Sequence, residues 1–141
     1  MDKITLNAPA KINLYLKITG KRPDGYHDLR TIFQSVSLFD EVSIEKKSGG
    51  LTVECDNPEI PGGKDNLAFK AASLVFLAGG ASYSACIKIK KKIPVLAGLG
   101  GGSGNAAAVI NGLDTLFEMR LSDSVKKDIG VKCGADVPFM L

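Results

Sequence analysis

Residues 94–113 read PVLAGLGGGSGNAAAVINGL, with five glycines among the seven residues 98–104 and a long run of small and apolar residues after them. Ordering glycine costs backbone entropy, so a cluster implies positive φ angles or a close approach to the backbone. The preceding segment alternates as a strand does, and the following one has helical spacing. A strand, a glycine turn and a helix in that order present free N–H groups and a positive dipole end to an anion. Phosphate is the natural guest, and Ser103 could add a hydroxyl to a phosphate oxygen or a magnesium ion. The usual nucleotide-loop patterns fail: no lysine follows the glycines as a Walker loop requires, and Ser103 stands where G-x-G-x-x-G needs its last glycine. Helix-to-sheet clearance is the competing explanation for the cluster.

The first half of the chain reads mostly as sheet. KITLNA and KINLYLKIT alternate as strands, the turn-rich GKRPDGYHD follows, and TIFQSVSL, EVSIEKK and LTVEC continue in short strand-like runs. Residues 65–78 have helical spacing, begin with an Asp able to cap and stop at Gly79 and Gly80. SACIKIK reads as another strand, and helices are expected over 105–119 and 123–132. No repeat, linker or low-complexity segment divides the chain, so one domain of mixed α/β character is expected over residues 1–141. The apolar VPFML at the end resembles a chain cut inside a larger fold.

Composition narrows the class. Apolar residues make up 45% and charged residues 23%, with mean hydropathy +0.10, which excludes a disordered chain. No stretch of about 18 residues is uninterruptedly apolar and the N-terminus lacks a signal-type apolar run, so a cytoplasmic protein is expected. Cys55, Cys86 and Cys133 are odd in number and widely spaced, and with one histidine they suit core thiols better than disulfides or zinc. The net charge of +3 suits an anionic small molecule at least as well as a polyanion. The basic run of residues 88–92, KIKKK, reads as a solvated strand end, part of a nucleotide site or a nucleic-acid contact; no aromatics interleave to stack bases.

Three further places carry candidate chemistry. Lys11 stands in an alternating strand after APA, where a lysine is ordinarily solvent-facing unless it has a partner. Asp136, between a glycine turn and an apolar run, could be that partner, or it could be an ordinary turn aspartate. Tyr26 and His27 set a flat aromatic beside the sole imidazole, an arrangement suited to a heterocycle or simply to packing.

PAKINL, RPDGYHDL, DNLAFKAA, IPVLAGLGGGSGNAAA and GADVPF, in this order, resemble the 4-diphosphocytidyl-2-C-methyl-D-erythritol kinases of the GHMP kinase superfamily. The resemblance implies an α+β fold of the ribosomal-protein-S5 domain-2-like type, a mostly antiparallel sheet packed with helices. It implies a catalytic pair in Lys11 and Asp136, with Asn13, Tyr26 and His27 at the substrate, the last two at its cytosine. Asn66 and Lys91 would lie at the adenine of ATP, and Pro94, Gly98, Leu99, Gly100, Gly101, Gly102 and Ser103 would wrap its phosphates, with Mg2+ bound alongside. The reaction implied moves the γ-phosphoryl of ATP to the 2-hydroxyl of the methylerythritol unit, in isoprenoid-precursor synthesis. Nucleic acid and membrane are not expected partners.

Two departures accompany the resemblance. Gly104 replaces the family's second loop serine, a missing hydroxyl expected to cost up to about 1 kcal/mol at the helix start. The family's C-terminal ferredoxin-like domain is absent from these 141 residues. A nucleotide-binding fragment without turnover, an RNA-binding module and another kinase of the superfamily are the rival functions.

Overall fold

The computed structural model describes residues 1–80 and 82–141. Strands β1 (Lys3–Lys21) and β2 (His27–Lys46) form a long hairpin, followed by β3 (Leu51–Cys55), a 3-10 turn (Gly63–Asp65), helix α1 (Leu67–Gly79) and strand β4 (Ala85–Lys90). Helices α2 (Gly101–Leu116), α3 (Asp123–Cys133) and α4 (Val137–Met140) complete the chain. The sheet order is β1-β2-β4-β3, with β3 parallel to β4 and the other pairs antiparallel. This is the α+β layering expected from the sequence, with a sheet that is mixed only at its β3 edge.

Local sequence explains most element ends. Asn66, not Asp65, caps α1 by accepting from the Ala68 amide at 2.9 Å, and Gly80 closes that helix in the left-handed region at φ 70°. Ser122 caps α3 through the Val125 amide. Four of the five short strands expected in the first half merge into two long ones, and LTVEC stands alone as β3. Register shifts between Pro9 and Lys11, Asn13 and Tyr15, and Ile18 and Gly20 let β1 bend without ending. Pro9 lacks an N–H, and the first of these irregularities absorbs it.

The core lies between one sheet face and the helices. Val42 and Ile44 of β2, with Ile87 and Ile89 of β4, turn inward against Ala68, Ala71, Ala72 and Val75 of α1 and the alanine-rich face of α2. The outer half of the hairpin extends past this core and exposes Leu14, Leu16, Ile18, Leu29 and Ile32. All three cysteines are free, Cys86 buried and the others half-buried, and burial pushes the Cys133 thiol up from its ordinary value. Among the described residues no helix is long and apolar enough to cross a membrane.

Candidate functional site

Helix α2 begins at Gly101, earlier than its sequence pattern indicates, because the glycines are themselves helical: the Gly104 amide donates to the Gly100 carbonyl at 2.8 Å. Gly100 opens the helix at φ 68°, a left-handed conformation that glycine adopts without strain. No side chain caps this end, so its amides remain free to meet a ligand. In front of it is a cavity of about 380 Å3. Residues 94–103 form one wall. Ile60, Pro61, Asn66 and Leu67 form the other, with Ile89, Lys91 and Asn105 behind. One end is therefore apolar with a few polar groups and the other is a helix N-terminus, a combination suited to a flat heterocycle joined to phosphates.

Beside the loop, β1 brings in Lys11. Its backbone N–H donates to the Leu99 carbonyl at 2.9 Å, and its stem lies so close to Gly100 that a Cβ there would fall 2.9 Å from Lys11 Cγ. The residue is only 6% exposed. Its ammonium donates to Asn13 Oδ1 at 2.8 Å, sits 4.8 Å from the Phe33 ring centroid and lies 3.7 Å from Asp136 Oδ2. Asn13 is fixed in turn: its Nδ2 donates to Thr31 Oγ1, which donates to the Tyr15 carbonyl, both at 2.8 Å. Asp136 stands at the entrance of α4 but makes no capping bond, which leaves its carboxylate partly exposed and free to act on something else. Phe139 of α4 stacks on Phe33 with ring centroids 4.8 Å apart and ties this helix to the hairpin.

The structure thus joins Lys11, Asn13 and Asp136 into one cluster, with Asn66, Lys91, Pro94, Gly98, Leu99, Gly100, Gly101, Gly102 and Ser103 around the adjoining cavity. Tyr26 and His27 lie apart, exposed at the hairpin turn, where the Tyr26 amide donates to Asp24 Oδ1 at 3.0 Å. Along β2 they are roughly 25 to 30 Å of strand from Ser35, which is paired with Lys11. The basic run divides as strand alternation requires. Lys88 and Lys90 point to solvent and pair with Glu54 at 3.3 Å and Glu41 at 2.9 Å, whereas Lys91 turns inward.

Lys91 meets the group that sequence reasoning missed, the fully buried carboxylate of Asp40. Asp40 Oδ1 accepts from the Lys92 and Ile93 amides at 2.7 and 2.9 Å. Its Oδ2 accepts from Lys91 Nζ and from Asn105 Nδ2 at 2.9 Å. Burial alone would push this carboxyl up, but the hydrogen bonds from Ile93, Lys91, Lys92 and Asn105 outweigh it and hold the pKa below its usual value. The signal was available: Asp40 shares the inward phase of Val42 and Ile44, and a carboxylate at a core position demands partners.

Gly104 overturns the expectation of a missing hydroxyl. It is buried under β1, and a Cβ there would lie 2.9 Å from the Pro9 carbonyl oxygen, a backbone atom that can retreat only with its strand. Gly104→Ser is therefore expected to destabilise the fold, by about 1–3 kcal/mol as overpacking does, rather than strengthen the helix start. A urea midpoint at or above that of the unmodified chain would contradict this.

Among the described residues no group of three or more His, Cys, Asp or Glu side chains is placed to hold a metal ion. Of the cavity-lining residues, Ser103 offers a hydroxyl oxygen at the loop, the kind of donor that would suit a magnesium ion brought in on nucleotide phosphates.

Comparison with known proteins agrees with this layout. Residues 66–141 match the model of the GHMP kinases N-terminal domain. Over all 141 residues the chain is 51% identical to a 4-diphosphocytidyl-2-C-methyl-D-erythritol kinase of Acetivibrio thermocellus, and over 142 aligned positions 48% identical to one of Citrifermentans bemidjiense. It covers 50% and 51% of those proteins, so the chain spans about half the length of the curated relatives it matches. A crystal structure of a 4-(cytidine 5'-diphospho)-2C-methyl-D-erythritol kinase superposes with TM-score 0.82 at 40% identity, covering 97% of this chain and 48% of that one. A homoserine kinase from Cytophaga hutchinsonii shares the fold alone, with TM-score 0.69 at 16% identity over 94% of this chain and 41% of that one. The glycine-built entrance to α2 and the matched family model together establish that this chain belongs to the GHMP kinase N-terminal domain family.

Proposed function

We propose that residues 1–141 are the nucleotide-gripping half of a 4-diphosphocytidyl-2-C-methyl-D-erythritol kinase, which moves the γ-phosphoryl of ATP to the substrate's 2-hydroxyl. The observation that carries the reading is the Lys11–Asp136 pair at 3.7 Å, held beside the glycine loop by the Lys11–Leu99 backbone bond. The 51% identity to a kinase of that name supports the choice of substrate.

Phosphoryl transfer asks the protein for positioning and charge neutralisation more than for covalent work. Asp136, partly exposed and free of any capping duty, orients the attacking hydroxyl and takes its proton. As the hydroxyl oxygen bonds to the γ-phosphorus, the bond to the β,γ-bridging oxygen breaks and ADP leaves. Lys11 is desolvated by Phe33 and the loop, so its charge acts at close range on the transferring group and on Asp136. The α2 amides hold the diphosphate, and the Ser103 hydroxyl would help hold a magnesium ion brought in on the phosphates, which would neutralise part of their charge. Asn66 and the apolar wall of the cavity accept the adenine, whereas the cytosine role that the resemblance implies for Tyr26 and His27 requires the hairpin turn to come closer to the cluster than it does here. Lys91 acts from behind the loop. The reading carries with it a cytoplasmic, small-molecule role, and the pairing of Lys88 and Lys90 with glutamates argues against an RNA surface.

The test is a calorimetric titration of the chain with a non-hydrolysable ATP analogue and Mg2+, then with the cytidine-diphosphate alcohol. Binding of the analogue is expected, and saturable binding of the alcohol would assign Tyr26, His27 and Asn13 their partner. A folded chain that takes up neither would remove the reading for this half alone. Salt-sensitive RNA binding with no response to nucleotide would replace it.

A further inference from the structure

Asp40 touches neither the cavity nor the Lys11–Asp136 cluster, yet among the described residues it is the most completely bonded charged side chain. Its two oxygens face different elements. Oδ1 holds the Lys92 and Ile93 amides, the last residues before the loop 94–100 departs. Oδ2 holds Asn105, one turn into α2 where the loop has returned, and Lys91, whose Nζ also reaches Asn105 Oδ1 at 3.3 Å. The same ammonium packs beneath the start of α2, where a Cβ at Gly101 would lie only 2.9 Å from it.

One buried carboxylate therefore binds both ends of the glycine loop to the central strand β2. It also neutralises a lysine that would otherwise confront the positive end of α2. Val42 and Ile44, on the same strand, already pack against the helices. What Asp40 adds is a fixed span between the loop's two feet, and that span sets where the free amides of α2 point.

Resting on the nucleotide reading above, we propose that Asp40 is a positioning residue for nucleotide binding, a clasp that fixes the ends of the glycine loop through Lys92, Ile93, Lys91 and Asn105. It acts at one remove from the ligand. Lys91, tied to Asp40 and Asn105, serves as part of this clasp.

Asp40→Asn separates the two halves of the clasp. The amide oxygen can still accept from Lys92 and Ile93, but its NH2 now confronts two donors, Lys91 Nζ and Asn105 Nδ2. The foot of the loop on α2 should come free while the other foot stays. Asp40→Asn/Asn105→Asp moves the carboxylate across the contact, restoring a partner for Lys91 and an acceptor for the amide. Val75→Ala, in the α1 core, gives a destabilised control far from the loop.

Two measurements read the outcome well below the melting temperature of each variant. Hydrogen exchange of the loop amides in the ligand-free chain tests the clasp without reference to any nucleotide. Faster exchange over residues 95–103 in Asp40→Asn, reversed in the double variant and absent in Val75→Ala, is expected. Titration with the ATP analogue and Mg2+ should show affinity lowered at least ~10-fold in Asp40→Asn, as sub-ångström to ångström misplacement of a site does. The double variant should recover most of that loss, and Val75→Ala should bind as the unmodified chain does. Loop exchange unchanged in Asp40→Asn, or raised equally in Val75→Ala, overturns the proposal, as does a double variant no better than the single one. An unmodified chain that binds no analogue would remove the nucleotide reading instead, with loop exchange still deciding for or against the clasp.

Discussion

Asp136→Asn is expected to lower phosphoryl transfer by roughly 10²–10⁴-fold, the loss typical of a removed general base. The structure makes the substitution a clean probe. Asp136 makes no hydrogen bond that caps α4, its only ion-pair partner among the described residues is Lys11 at 3.7 Å, and its carboxylate is about a third exposed at 35%. The isosteric amide should therefore leave the melting temperature almost unmoved. Asp136 is not part of the cavity wall, so affinity for the ATP analogue should also hold. Turnover is best assayed with this chain joined to the C-terminal half of its 51%-identical relative, because the chain covers only half of that protein. A variant of that chimera with undiminished turnover would show that Asp136 is not the base.

Asp40→Ala is expected to cost about 3–5 kcal/mol of stability, the range for removing one member of a buried ion pair. The loss compounds. Lys91, only 6% exposed at its side chain, would keep only the long bond to Asn105, and the Lys92 and Ile93 amides would lose their acceptor. Exposed pairs such as Lys88–Glu54 should contribute within about 1 kcal/mol of nothing, which makes them suitable comparisons.

The pH dependence of this effect has a definite sign. The folded pKa of Asp40 is held below its ordinary 3.8, so the unfolded chain takes up the proton first. Its stabilisation is fully present above that ordinary value and is lost as pH falls through the lowered one. Urea unfolding followed from neutral pH into the acid range should show the gap between the unmodified chain and Asp40→Ala closing only below about pH 4. A gap that closes near neutrality, or never, would place the stabilisation elsewhere.

Elements whose cause is local were readable in the sequence, and elements whose cause is distant were not. The helical spacing and glycine stop of α1, the loop between β4 and α2 and the strand alternation all depend on neighbours a few residues away. Where a competing residue stood beside the right one, as Asp65 beside Asn66, the pattern located the helix but named the wrong cap. The merging of four short strands into two depends on partners across the hairpin, such as Lys3 opposite Glu45, which no local pattern reports. Gly104 was misread for the same reason, because the oxygen that forbids a side chain there belongs to Pro9, far away in the chain. The motif residues Lys11 and Asp136 were legible from the resemblance, but Phe33, which desolvates Lys11, and Asp40, which holds the loop, were not. Both act across the sheet or between layers.

The bond between the Lys11 amide and the Leu99 carbonyl makes a single mechanical part of two functions that could have been separate. On the proposed reading, grip on the cosubstrate and delivery of charge to the reaction share one piece of backbone, so neither can be retuned alone. A substitution that relaxes the loop to admit a bulkier nucleotide will also shift the lysine, and selection for a new phosphate donor should keep returning compensating changes in β1. In such a library, paired changes in residues 9–13 and 96–101 would be the mark of that shared part.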